Sequence, residues 1–269
     1  MTLCVAAITL ENYILTVSDT KVEGLISSSD GCTVKMDPFA KDWNAMWAAS
    51  DMTQCSSVVE RAGRYFRNRA NELHVARSCM KRAYQQHLSG MAADQVLGRF
   101  NSMSMEDFLK NRSKRFTEST SDSLMRQIQQ FKVDWEFLAF GFDSIKRPHV
   151  FVVEEPGIDS VYDSLGFCAI GSARHAAEGL LLYLDQNRIC TLHKTLVNLL
   201  FAKFMAEKTG IGKHTFVFAK KPGSTMFSMP LWIEPTIRER WDTQVRPKLP
   251  DDLLIEIAAQ VADGSIRLT

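Results

Sequence analysis

Short apolar runs typical of β-strands occur in groups along this chain, and blocks with helical periodicity separate the groups. Four strand-like runs come first, followed by a long helical block, three strands, two helices, two strands and a helix. This is not the alternating βαβ order of a dinucleotide-binding fold, and no GxGxxG motif follows the first strand. It predicts a layered α/β (α+β) architecture in which two antiparallel sheets pack face to face under outer helices.

The predicted elements cover most of the chain. Strands are placed at residues 2–9, 13–19, 32–37, 43–50, 134–143, 148–157, 165–171, 214–220 and 228–234. Helical periodicity begins near residue 51, where Asp51 or Thr53 would cap the helix, and continues through residues 73–88. Further helices are placed at residues 92–100, 104–116, 121–131, 172–184, 191–207 and 249–263. The fourth strand is apolar on both faces, so we expect it in the interior of its sheet.

The charge balance gives no reason to expect a polyanionic partner. The chain has 32 Lys and Arg residues against 31 Asp and Glu residues, which leaves a net charge of +1. No apolar stretch reaches a membrane-spanning length, and the N-terminus has no secretory signal. We therefore expect a soluble cytoplasmic protein that binds neither a membrane nor nucleic acid.

Cysteine and histidine residues show no spacing typical of a metal site. The six cysteines are scattered, without a CxxC pair, and we interpret them as reduced, mostly buried thiols. His175, His193 and His214 have no partner spacing that indicates a catalytic triad, so they are assigned to the core or the surface. No metal or organic cofactor is expected.

The N-terminus contains a hydroxyl group beside a potential free amine. Removal of Met1 is usual when the second residue is small, and it would give Thr2 a free α-amine. An unperturbed amine titrates near pH ~7.7–8.0, so it can accept the proton of the Thr2 hydroxyl at neutral pH. Thr2 would then supply both a nucleophile and its base. Cys4 points to the same side of the strand but carries no amine, so we assign it to packing.

Two charged residues are predicted at the same sheet end as Thr2. Asp19 ends the strand that pairs with the Thr2 strand, and Lys35 lies on the third strand. A lysine beside the hydroxyl lowers the cost of a developing alkoxide, and an aspartate keeps that lysine charged and oriented. Taken singly, Asp19 and Lys35 would be a turn residue and a solvated lysine. The ordered combination with Thr2 favours a catalytic site.

The set Thr2, Asp19 and Lys35, in the contexts TVSDTKV and TVKM, resembles the proteasome β-subunit group of N-terminal-nucleophile hydrolases. Further stretches match in the same order: WNAMWAASDM, FLAFGFD with PHVFVVEEPG, and FCAIGSARHAAEGLL. The resemblance covers most of the chain except roughly residues 90–130 and the part after Pro235. The MTLCV start is especially similar to the bacterial ancestral-β-subunit branch, Anbu.

The resemblance implies a four-layer αββα sandwich, formed by one domain over residues 1–269 with a helical insertion at about 90–130. It implies that Thr2 is the nucleophile, that Asp19 and Lys35 activate it, and that Ser172 lies near the N-terminal amine. Ser172 also follows a strand directly, where it would cap the next helix. The resemblance implies that the protein is a threonine-type peptidase or amidohydrolase that acts on a peptide or amide. It also implies that the protein assembles as a homo-oligomer. An unfoldase partner is left unidentified.

Four departures from the family pattern leave two alternatives open. One is the spacing from Thr2 to Asp19, which is about one residue longer than usual. Glu207 stands where the family has an aspartate, Gly210 where it has a serine, and Ala173 where it has a glycine. A non-catalytic scaffold or binding subunit is the first alternative, because these changes affect residues that support Ser172. A small-molecule amidase with the same nucleophile is the second, and a pocket closed by residues 90–130 would favour it.

Basic residues are concentrated in the first long helical block. Between Glu60 and Gln85 they are Arg61, Arg64, Arg67, Arg69, Arg77, Lys81 and Arg82. Without stacking aromatic residues interleaved on the same face, this pattern favours a subunit contact or a solvated surface over a nucleic-acid site.

Overall fold

The computed structural model of the protein describes residues 2–23, 28–30, 34–49, 54–100, 103–229 and 232–246. The chain divides into two units, residues 1–232 and 233–269. The predicted helix at 249–263 lies outside the described residues, as do Cys32, Thr33 and the proposed caps Asp51 and Thr53.

Two five-stranded antiparallel sheets form the centre of the first unit. The strands in chain order are β1 (Cys4–Ile8), β2 (Ile14–Asp19), β3 (Lys21–Glu23), β4 (Ser28–Asp30), β5 (Met36–Ala40), β6 (Trp43–Ala48), β7 (Glu136–Phe142), β8 (Pro148–Glu154), β9 (Ile158–Val161), β10 (Phe167–Ile170), β11 (Thr215–Lys220) and β12 (Phe227–Ser228). Sheet I has the order β10-β1-β2-β11-β12, and sheet II has the order β5-β6-β7-β8-β9. Strands β3 and β4 pair only with each other in the described part of the chain.

The helices lie mainly between the strand groups, as the periodicity predicts. In chain order they are α1 (Cys55–Phe66), α2 (Leu73–Leu97), α3 (Met105–Arg115), α4 (Glu118–Gln129), α5 (Arg174–Tyr183), α6 (Leu192–Ala206) and, in the second unit, α7 (Glu234–Arg240). Ser104, Thr117 and Thr191 cap α3, α4 and α6, because each hydroxyl accepts a hydrogen bond from a backbone N–H of the first turn.

Apolar packing joins these elements into the predicted four layers. Between the sheets, side chains of β1, β2 and β10 meet those of β6, β7 and β8 in one buried cluster. Helices α1 and α2 cover the outer face of sheet II in a second cluster, while α5 and α6 contact sheet I at β10, β1 and β2. The predicted αββα sandwich of two antiparallel sheets is therefore confirmed.

A smaller apolar cluster lies in the helical segment predicted at about residues 90–130. It is formed by residues of the second half of α2 together with Met103, Phe108 of α3 and Leu124 of α4. The prediction of a separate helix at residues 92–100 is wrong, because α2 is one 25-residue helix that runs through Gly90. A helical glycine costs only about 1 kcal/mol relative to alanine, and the buried residues after Gly90 offset that cost. That the segment is an insertion in one domain stays a prediction.

Two predicted strands have different bounds in the structure. The third predicted strand, at residues 32–37, corresponds to β5, which begins at Met36. Lys35 therefore lies immediately before the strand, and its carbonyl accepts a hydrogen bond from the Trp47 amide (3.3 Å). The last predicted strand, at residues 228–234, is wrong for the described residues after Ser228, because β12 ends at Ser228 and α7 begins at Glu234.

His149 forms a half-buried ion-pair cluster at the β7–β8 hairpin that the sequence does not indicate. Its Nδ1 lies 2.6 Å from Asp163 and its Nε2 lies 3.2 Å from Asp143, while its ring stacks on Trp43. Burial by itself lowers the pKa of His149, but the hydrogen bonds and negative charges of Asp163 and Asp143 outweigh it and raise the pKa above its ordinary value. The cluster therefore favours the protonated imidazole.

This raised pKa predicts how stability changes with pH. His149 stabilises the fold fully below its ordinary pKa of about 6.5, and this contribution is lost as the pH rises through the raised folded-state value. In His149→Gln, we expect that the unfolding free energy measured by urea denaturation no longer shows this decrease as the pH rises. The exposed His175→Gln is the matched control and should keep the parent profile. An identical pH profile for His149→Gln and the parent would contradict the prediction.

Candidate active site

Thr2, Asp19, Lys35 and Ser172 lie together at one end of sheet I. Strand β1 pairs with β2 so that Cys4 faces Ser18, and it pairs with β10 so that Cys4 also faces Ile170. The residues just beyond these pairs are therefore neighbours, and Thr2 lies between the end of β2 and the turn that follows β10. The architecture brings the four predicted residues together although they are far apart in the sequence.

The Lys35 ammonium contacts both the hydroxyl and the carboxylate of this group. Its Nζ donates to Thr2 Oγ1 at 3.2 Å and to Asp19 Oδ1 at 2.9 Å. The Lys35 and Asp19 side chains are both 0% exposed, whereas Thr2 is half-buried. A positive charge in such a low-dielectric position stabilises negative charge on the Thr2 oxygen far more strongly than it would in water.

Backbone amides also hold the Asp19 carboxylate. The Leu3 N–H donates to Oδ1 at 2.8 Å, and the Gly212 N–H donates to Oδ2 at 3.4 Å. These bonds compensate the buried carboxylate and determine the direction from which Lys35 approaches it. The Leu3 bond also ties Asp19 to the residue directly after Thr2.

Ser172 lies against the nitrogen of Thr2. The Thr2 N–H donates to Ser172 Oγ at 3.2 Å, and the Ala173 N–H donates to the Thr2 carbonyl at 3.4 Å. The prediction that Ser172 caps α5 is wrong, since the cap residue is Ala173 and no side chain accepts a capping bond there. The Ser172 hydroxyl faces Thr2 instead.

Gly171 allows this close approach. Its φ of +98° lies in the left-handed region, and an added Cβ would lie 2.2 Å from the Thr2 carbonyl oxygen. A residue with a side chain would therefore be strained and would displace Thr2. The glycine is needed for the backbone of the Ser172 turn to lie beside the Thr2 backbone.

Glu136, at the start of β7, is a further residue of the site that sequence reasoning missed. Its Oε2 accepts from the Gly171 N–H at 2.5 Å, and its Oε1 accepts from Arg174 Nη1 at 2.6 Å. One carboxylate thus contacts the backbone of Gly171 and the side chain of Arg174, which lie on either side of Ser172 in the chain. The only sequence signal is a polar residue heading an apolar strand, which is too common to identify a site.

The residues that depart from the family pattern have local partners. Glu207 forms an ion pair with the buried Lys203, whose ammonium also donates to the Lys213 carbonyl. Gly210 ends a short 3₁₀ helix at Glu207–Thr209 with φ +97°, a conformation in which serine would be strained. Local structure therefore accounts for glycine at position 210 and provides a role for Glu207.

Other chemically active groups near the site are accounted for by burial or exposure. Burial raises the pKa of Cys4 to about 12, and its thiol donates to the Trp47 carbonyl at 3.5 Å inside the inter-sheet cluster. His175, His193 and His214 are all exposed. Among the described residues, no three His, Cys, Asp or Glu side chains form a group that could hold a metal ion. No helix of the described part is long and apolar enough to cross a membrane.

Comparison with known proteins gives a match in structure but not in sequence. No protein-family model matches the chain, and no curated protein does. A solved Anbu (Gly-1) mutant from Hyphomicrobium sp. strain MC1 is similar over 100% of this chain and 99% of its own, with 12% identity and a TM-score of 0.62. The Anbu (ancestral β-subunit) protein from Yersinia bercovieri is similar over 96% of this chain and 97% of its own, also with 12% identity and a TM-score of 0.62.

These similarities extend over nearly the full length of both chains. A structural match at 12% sequence identity shows a shared fold and nothing more. The protein therefore has the proteasome β-subunit-like fold of the N-terminal-nucleophile hydrolases, as found in the Anbu proteins.

Proposed function

We propose that this protein is a threonine-type amidohydrolase, most specifically a peptidase, that uses Thr2 as its nucleophile after Met1 is removed. The contact between Lys35 Nζ and Thr2 Oγ1 at 3.2 Å, with Asp19 as the partner of the same ammonium, carries the proposal. Ser172 supports it, because its hydroxyl lies 3.2 Å from the nitrogen that would become the free amine.

The reaction would proceed through an acyl-enzyme. The Thr2 hydroxyl attacks the amide carbonyl while its proton passes to the α-amine, and Lys35 stabilises the charge that develops on the attacking oxygen. The leaving amine takes the proton as the C–N bond breaks, and water then attacks the Thr2 ester to release the acid. Since the Gly171 and Ala173 amides already donate to Glu136 and Thr2, the Ser172 and Lys35 amides are the oxyanion donors we favour.

The proposal is tested by hydrolysis of a short N-acylated peptide amide by the parent protein and by Thr2→Ala, combined with the intact mass of both. Turnover that requires the Thr2 hydroxyl, in a protein lacking Met1, supports the enzyme. Retention of Met1 supports the scaffold alternative. The ion pair between Glu207 and Lys203 favours that alternative, because it gives Glu207 a structural role. Homo-oligomeric assembly and a cytoplasmic location stay predictions from the sequence.

Glu136 is expected to act on the reaction as a positioning residue. Glu136→Ala removes the acceptor of the Gly171 amide and should lower kcat roughly 10- to 100-fold, because Ser172 is then no longer held against the Thr2 nitrogen. Glu136→Gln keeps an acceptor oxygen and should recover most of the loss, as measured by steady-state kinetics on the same peptide amide.

Glu154→Ala is the matched control. Glu154 also lies near Arg174, at 3.6 Å, and is more exposed than Glu136. We expect its removal to leave kcat near the parent value. Equal losses from Glu136→Ala and Glu154→Ala would mean that Arg174, rather than the Gly171 turn, determines the effect.

A further inference from the structure

Four basic residues of the first helical block form two pairs with different surroundings in the structure. Arg77 and Lys81 of α2 pair with Asp159 of β9, at 2.5 Å and 3.6 Å. These pairs attach α2 to sheet II and account for two of the charges. Arg69 and Arg82 are different, because no carboxylate of the described residues lies within ion-pair distance of either side chain.

These two unpaired arginines line the same surface cavity, which has a volume of about 230 Å³. Its other polar lining residues are Tyr65, His74 and Ser78. The two exposed guanidinium groups give the wall of this cavity positive charge, and no carboxylate among the described residues pairs with either of them.

Three elements place the side chains around the cavity. His74, Ser78 and Arg82 are each four residues apart on α2, so they lie along one face of the helix. Tyr65 comes from the last turn of α1, and Arg69 comes from the connection between the two helices. The cavity thus has walls on two helices and their connection.

Arg82 lies over an aromatic ring of α1. Its guanidinium carbon lies 4.5 Å from the centre of the Tyr65 ring, and the Tyr65 hydroxyl in turn donates to Gln86. Burial raises the pKa of the Cys79 thiol in the cavity wall, while the charges of Arg69 and Arg82 act in the opposite direction. Both guanidinium groups therefore lie close enough to the Cys79 thiol to lower its pKa.

We propose that this cavity binds a phosphate group, either as inorganic phosphate or as a small phosphate monoester. The cavity offers more hydrogen-bond donors than one carboxylate can accept, because it contains the Arg69 and Arg82 guanidinium groups, the His74 imidazole and the Ser78 hydroxyl. Each guanidinium group can donate two parallel hydrogen bonds to a pair of phosphate oxygens. The volume of about 230 Å³ is below the roughly 300–1,000 Å³ of pockets for larger organic ligands. The site is independent of the proposed hydrolase activity.

The test is isothermal titration calorimetry of the parent protein with sodium phosphate, at an ionic strength held constant with sodium chloride. We expect one saturable site per chain. Arg82→Gln and Arg69→Gln should each weaken the affinity roughly ten- to hundredfold, because each removes charge-assisted hydrogen bonds. A parallel titration with glycerol 3-phosphate identifies the source: tighter binding than phosphate indicates a monoester, and equal or weaker binding indicates the free ion.

Arg64→Gln is the matched control, because Arg64 is an exposed arginine of α1 that does not line this cavity. It should leave the affinity unchanged. The proposal is overturned if the parent shows no saturable heat with either probe, or if Arg64→Gln weakens binding as much as Arg82→Gln does. Unfolding temperatures of the variants establish that each is folded.

Discussion

Thr2→Ala is expected to reduce hydrolysis of N-acylated peptide amides to the background rate while the fold stays intact. The substitution removes the hydroxyl that receives the Lys35 hydrogen bond at 3.2 Å, and without it no acyl-enzyme can form. The lost methyl and hydroxyl groups lie before β1 and outside the buried clusters, so the unfolding temperature should change little. Initial rates and thermal unfolding of the two proteins measure both effects.

The control for this experiment keeps the hydroxyl. Thr2→Ser retains the nucleophile and a small second residue, so it should lose Met1 and keep measurable turnover. The intact mass of active protein should be short of the encoded chain by one methionine, because an acylated nitrogen is a poor proton acceptor. Activity should rise as the free amine loses its proton, near pH ~7.7–8.0 if the amine is unperturbed. Hydrolysis by Thr2→Ala at the parent rate would refute the catalytic proposal.

Lys35→Met is expected to lower both the rate and the stability. The lost ammonium is a preorganised charge beside the Thr2 oxygen, and removal of one such group typically costs ~10²–10³ in kcat. Asp19 would remain fully buried with its partner charge removed, which typically costs ~3–5 kcal/mol of unfolding free energy. Steady-state kinetics and urea denaturation measure the two losses separately.

Removing the second charge distinguishes these effects. In the double variant with Asp19→Asn, no buried negative charge remains at position 19, so the protein should be more stable than Lys35→Met alone. The rate should fall little further, because Asp19 acts on Thr2 through Lys35 and the two work as one unit. Rate losses that multiply across the two single variants would show that Asp19 acts on the reaction independently.

The relation between Thr2 and Asp19 follows from local sequence. Two short apolar runs separated by Glu11-Asn12 predict a hairpin, and Asn12 has the positive φ of 59° that a tight turn requires. A short turn determines the strand register, so that the start of one strand must lie beside the end of the other. The layered architecture could be predicted for a similar reason, because the change from strand to helix periodicity is visible along the chain.

The other half of the site depends on contacts between distant parts of the chain. Ser172 reaches the Thr2 nitrogen from 170 positions away, and it does so because β10 pairs with β1 and Gly171 permits the close approach. In the sequence, Glu136 is only a polar residue at the end of a strand, yet sheet packing places its carboxylate at the Gly171 amide. No short pattern predicts such a contact, since its position results from the packing of whole layers.

The sequence by itself therefore determined the first hairpin, most of the helical segments and the candidate residues at the N-terminus, because short-range contacts and periodicity control them. Only the tertiary structure decided which of the basic residues are paired. Arg77 and Arg82 are alike in the sequence, but packing of α2 on sheet II brings Asp159 to Arg77, while Arg82 lies against Tyr65 of α1. A charge is neutralised only where the packing of separate elements brings an opposite charge within a few ångströms of it.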